Sequence, residues 1–177
     1  MKRIIITFLI LFGVIFAGCT KKSMEYSKEQ IKDTDGIENR EQNYSKYYFI
    51  CSQTLDSYMT IDSGLNDDIK YIAIDFDTLK GVEGEEKNLI IKYFEKYNLE
   101  VIDESFESLK EKGMVKEGNY IEGILLSIKS IEFTSDNRAV VKGSKFRSGK
   151  GAVGFKSTIK LSDGQWKLEN TDMTWIS

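Results

Sequence analysis

Several groups of residues in this 177-residue chain have types and spacings that can do chemistry. Cys19 and Cys51 are its two thiols. Asp75 and Asp77 stand at i and i+2, which in a strand turns both carboxylates to one face, as a carboxylate-based hydrolase would need for paired acid and base. Asp62, Asn66, Asp67 and Asp68 add oxygen donors of the kind calcium takes. Gly64 falls at the third position from Asp62 and no Glu closes the loop, so EF-hand spacing is absent and a solvated loop explains the cluster. Lys145, Arg147 and Lys150 flank Phe146 within six residues, the one dense basic patch of the sequence. Gly149, Gly151 and Gly154 match G-x-G-x-x-G, but a strand pattern follows where a dinucleotide site needs a helix, and only 23 residues remain. P-loop spacing fails as well, because Gly143 to Gly149 is one residue too long and Gly151 replaces the Ser or Thr. A glycine-rich hairpin turn explains the run. Histidine is absent, which removes Ser-His and Cys-His catalysis and the commonest zinc ligand. No cofactor or metal set is assigned.

The first residues decide what becomes of Cys19. Lys2 and Arg3 precede an apolar run of 14 residues, 4–17, and small residues follow, the three parts of a secretory signal. The run is shorter than the roughly 20 residues of a spanning helix. Bulky Phe16 three residues before the cut does not suit a plain signal-peptidase site. Phe16-Ala17-Gly18-Cys19 resembles the lipobox of bacterial lipoproteins. The resemblance implies cleavage between Gly18 and Cys19 and a diacylglyceryl thioether on the Cys19 sulfur. Two acyl chains suffice for stable attachment, here to the extracytoplasmic face of the cell membrane. An uncleaved anchor with a chance cysteine is the alternative.

Three segments follow from this: a signal peptide 1–18, a disordered tether 19–43 and a single domain 44–177. The chain has 25 basic and 28 acidic side chains, and loss of Lys2 and Arg3 leaves 23 against 28, a net charge of −5. That balance argues against sequence-independent nucleic-acid binding and for weak repulsion from an anionic membrane. Residues 20–43 are almost wholly polar and span about 25–30 Å as a flexible coil. With Cys19 committed to lipid, Cys51 has no partner, and the domain must hold itself together without a disulfide.

Within the domain, Tyr44, Tyr47, Tyr48, Cys51, Leu55, Tyr58 and Met59 recur at helical spacing and predict a helix over about 42–60, with Lys46, Gln53 and Asp56 on its polar side. Residues 71–76 read as a strand, 85–97 as a second helix, 99–102 as extended, and Asp103 to Gly113 as a third helix. Four β-prone runs, 121–134, 138–147, 152–161 and 165–176, are separated by short turn sequences. The alternation slips between Ile128 and Ile131, which predicts a bulge. The expected fold class is α+β, with N-terminal helices packed on a curved four-stranded antiparallel meander. This order is similar to the NTF2-like and cystatin-like folds, and the last strand resembles that of small Gram-positive lipoproteins.

No catalytic set emerges from these elements. The leading expectation is a non-enzymatic binding or interaction module, with a carboxylate-based hydrolase and an accessory subunit of an envelope complex as alternatives. If Phe146 packs inward, Lys145 and Arg147 project outward together, and with Lys150 suit an acidic protein or an anionic envelope polymer.

Overall fold

The first helix, α1 (Lys46–Thr60), begins where Ser45 accepts a hydrogen bond from the Tyr47 amide at 3.1 Å, and it ends at extended Ile61. The computed structural model describes residues 45–79 and 81–177. The expected signal peptide 1–18, the expected cleavage site at Gly18–Cys19, the expected tether 19–43 and the start of the predicted first helix lie outside the described residues. Ile50, Cys51, Leu55, Tyr58 and Met59 form the buried stripe of α1. Its supposedly polar side is engaged as well. The Gln53 side chain accepts from the Leu168 amide at 2.9 Å and donates to the Trp166 carbonyl at 2.5 Å, as a neighbouring strand would. Asp56 accepts from Tyr97 at 2.6 Å and pairs with Lys96 at 2.6 Å.

Beyond α1 come β1 (Tyr71–Asp75), α2 (Glu85–Phe94), β2 (Glu100–Asp103), α3 (Phe106–Glu111) and the short pair β3 (Val115–Lys116) and β4 (Tyr120–Ile121). Four long strands complete the chain: β5 (Ile124–Ser135), β6 (Arg138–Ser148), β7 (Gly151–Ser162) and β8 (Gln165–Ile176). They assemble as one six-stranded sheet in the order β2-β1-β5-β6-β7-β8, with β3 and β4 as a separate antiparallel pair.

This corrects the expected fold class. The domain is mostly β, a mixed sheet with a few short helices, and not a four-stranded meander beneath N-terminal helices of NTF2-like or cystatin-like order. The physical reason lies in β1. Tyr71, Ile72, Ala73 and Ile74 are all buried, so both faces of this strand need cover. Burial on both faces is the mark of a parallel strand inside a sheet. Accordingly β1 pairs in parallel with β2 on one side and with β5 on the other, and α2 makes the crossover between β1 and β2. The bulge expected in the first β run is present, at Lys129 between the Ile128 and Ser130 pairings.

Two cores result. The larger one lies between α1, α2 and one sheet face, and includes Ile72, Ile74, Phe94, Leu126 and Phe155. Tyr58 stacks on Phe155 with ring centroids 4.3 Å apart. The smaller core covers only one end of the opposite face, where Leu109 and Ile121 meet Tyr71, Ala73 and Leu125, and Phe106 packs edge-on against Phe146.

Cys51 is buried and free, and burial, with a smaller contribution from the Glu86 charge, pushes its thiol up to about 12. The thiolate is the reactive form, so the native protein should resist a bulky thiol reagent at pH 8 and react only when unfolded. Rapid native labelling would show that α1 does not pack as described.

Candidate functional site

The basic tip folds back on its own chain. Lys145 and Arg147 alternate with Phe146 as expected, and Phe146 packs inward against Phe106. The two cations do not project outward. Their side of β6 faces the loop after α1, and Lys145 is 0% exposed. Its ammonium donates to the Ile61 carbonyl at 2.5 Å, the Asp62 carbonyl at 2.9 Å and Asn66 Oδ1 at 3.3 Å. The Arg147 guanidinium donates to the carbonyls of Leu65 and Asp67 at 2.9 and 2.5 Å, and to the Tyr120 hydroxyl at 3.2 Å. Burial brings Lys145 down to about 8, opposed by the Asp62 charge. Lys150, at the exposed β6–β7 turn, remains accessible.

The same contacts account for the acidic loop. Asp62 and Asp68 adopt positive φ, +48° and +54°, a conformation that needs local support in a residue with a Cβ. That support comes from the ammonium and guanidinium, on which the loop oxygens converge. Among the described residues, no group of three or more His, Cys, Asp or Glu side chains is arranged to hold a metal ion.

Asp75 and Asp77 do not share a strand face, because the strand ends between them. β1 stops at Asp75, whose Oδ1 accepts the Asp77 amide at 3.1 Å and shapes the following turn. Burial raises Asp75, as do the charges of Asp77 and Glu107, while its hydrogen bond from the Asp77 amide lowers it. Asp77 instead lines a surface depression of about 560 Å³ with Phe76, Val82, Glu83 and Lys87. The Gly149–Gly154 run is the β6–β7 turn and the opening of β7, with the Gly149 amide bonded to the Gly118 carbonyl.

What the linear sequence hid is the part of the second sheet face beyond the smaller core. There β6 and β7 place Lys142 directly opposite Lys156, and bulged Lys129 completes a row across β5, β6 and β7. Two pairs further along, Arg138, Lys160 and Lys167 form a second row across β6, β7 and β8. Beside the first row, Ser127 and Ser144 bond each other at 2.8 Å and lie in register with Gly154. The Trp175 indole lies on Gly154, where a Cβ would come within 1.9 Å of Nε1, and Lys129 Nζ is 5.9 Å from its ring. Strand alternation carries this signal, but only after register is known do the cations of separate strands line up.

No protein-family model matches this chain, and no curated protein matches it.

Proposed function

We propose that this chain is a membrane-anchored extracytoplasmic lipoprotein whose domain acts as a non-enzymatic binding module. Anchoring follows from the lipobox-like Phe16-Ala17-Gly18-Cys19 after a short apolar run. The observation that supports binding is the partly uncovered sheet face. On it Lys129, Lys142, Lys156 and Lys160 stand open to solvent without an ion pair among the described residues.

Anchoring has a direct test. Cys19→Ser should leave an unprocessed, unacylated precursor, and protein from cells carrying it should contain no mature form that enters the detergent phase. Processing at 18–19 in the variant, with no difference in phase partition from the parent, would refute the lipid anchor.

A further inference from the structure

We infer that the row Lys129–Lys142–Lys156, bordered by Trp175, is a docking track for a phosphate-bearing polymer chain. This rests on the binding-module reading and names the partner of that surface. The first observation is the division of charge along the chain. Residues 45–122 contain nine basic and seventeen acidic side chains, whereas residues 123–177 contain nine basic and five acidic ones. Lys145 and Arg147 of that segment face the loop after α1, whereas Lys129, Arg138, Lys142, Lys156, Lys160 and Lys167 lie on the second sheet face.

The second observation is the register. Lys142 faces Lys156 across β6 and β7, and adjacent strands are only about 4.8 Å apart. Like charges placed directly opposite destabilise a sheet. Asp172 on β8 offsets part of this at Lys156, but Lys129, Lys142, Lys156 and Lys160 make no ion pair among the described residues, whereas Arg138 pairs with Glu169 at 2.7 Å. All four are exposed. A line of closely spaced, unpaired ammonium groups has its natural counter-charge in a line of phosphates, which lowers the mutual repulsion on binding and releases counterions.

A polymer fits this surface better than a bilayer of anionic lipids. Glu132 and Asp172 share the face, Asp172 directly opposite Lys156, and the other half of the domain is strongly acidic. Pressed flat on an anionic membrane, these groups would be repelled along with the attraction of the lysines. A single chain on the three lysines meets only Asp172, at the β8 end of the row, and leaves the acidic half of the domain clear. Trp175, 45% exposed and seated on Gly154, then lies at the flank of the bound chain and reports on it.

The test uses the full chain in neutral detergent, so its outcome does not depend on acylation of Cys19 and is separable from the partition assay above. Long-chain inorganic polyphosphate is the probe, read by tryptophan emission and by anisotropy of a labelled probe. Binding is expected, weakening steeply as salt rises, with an emission change that Trp175→Phe abolishes. Lys142→Glu should weaken binding by about tenfold or more at low salt, because it reverses the central charge of the row. Its melting temperature should equal or exceed the parent's, because the new carboxylate sits between two lysines. Lys150→Glu, the same charge change at the hairpin turn, should weaken binding much less. Absence of salt-sensitive binding by the parent overturns the proposal, as does equal loss in the two charge-reversal variants. So does binding to phosphatidylglycerol vesicles but not to polyphosphate, which would assign the row to the membrane.

Discussion

Gly143→Ala should destabilise the domain by about 3 kcal/mol, a large share of the stability of an ordinary domain. Gly143 lies on the face of β6 that receives α1, opposite Ile128 on β5 and Phe155 on β7. A Cβ there would stand 2.2 Å from the Ser127 carbonyl oxygen and 2.8 Å from the Tyr58 ring. Neither neighbour can yield cheaply. The carbonyl belongs to the backbone of β5, and Tyr58 is 0% exposed and stacked on Phe155. Relief would require parting β5 from β6 or lifting α1 from the sheet, and interiors packed this closely have no slack for either. Gly154→Ala provides the control. Its new Cβ would meet the Trp175 indole, a side chain at the exposed end of β8 that can swing aside. Urea unfolding should show a markedly lower midpoint for Gly143→Ala and a shift below about 1 kcal/mol for Gly154→Ala. Equal midpoints for the two would show that α1 does not approach the sheet through the gap at Gly143.

The difference between those glycines illustrates what could be read from the sequence. Local patterns are self-contained: the alternation of Val153, Phe155, Ile159 and Leu161, the slip after Ile128 and the turn residues between strands are each expressed within a dozen positions. Pairing is not. Tyr71-Ile72-Ala73-Ile74 signals a strand, but the parallel partnership with 100–103 depends on a crossover through α2, and no single segment carries that information. The meander alone therefore suggested a smaller sheet. The bonding of half-buried polar side chains was hidden for a related reason. Gln53 and Asp56 look like the wet side of an amphipathic helix until the β8 backbone and the tyrosines of 93–97 are placed beside them. Lys145 and Arg147 look like a charged tip until the loop 61–67 is folded over them. The cationic row followed the same logic in reverse, since lysines at 129, 142 and 156 meet only through register.

Lys145→Met, which keeps most of the side-chain volume, should cost about 1–3 kcal/mol at neutral pH, the scale of leaving the half-buried Ile61 carbonyl without its donor. The ammonium is the hydrogen-bond donor to the Ile61 carbonyl and shares the Asp62 carbonyl with the Leu65 amide. Without it, left-handed Asp62 loses a support, and the loop should become sensitive to protease near residues 61–67 before the domain unfolds. The pH dependence separates this from a simple packing effect. In the folded protein Lys145 titrates near 8, below the ordinary lysine value of 10.5, because burial disfavours its charge. Between those two values the unfolded chain binds more proton than the folded one, so this residue's contribution to stability increases with pH. The cost of burying the charge is present in full below about pH 8 and is relieved as pH rises toward 10.5. Relative to Lys145→Met, the parent should therefore gain stability between pH 8 and 10, while groups common to both proteins cancel in the comparison. Urea midpoints of the two proteins at pH 7, 9 and 10 provide the measurement. Coincident midpoints at pH 7, with no widening above pH 8, would return Lys145 to the solvent and revive it as a contact for an acidic partner.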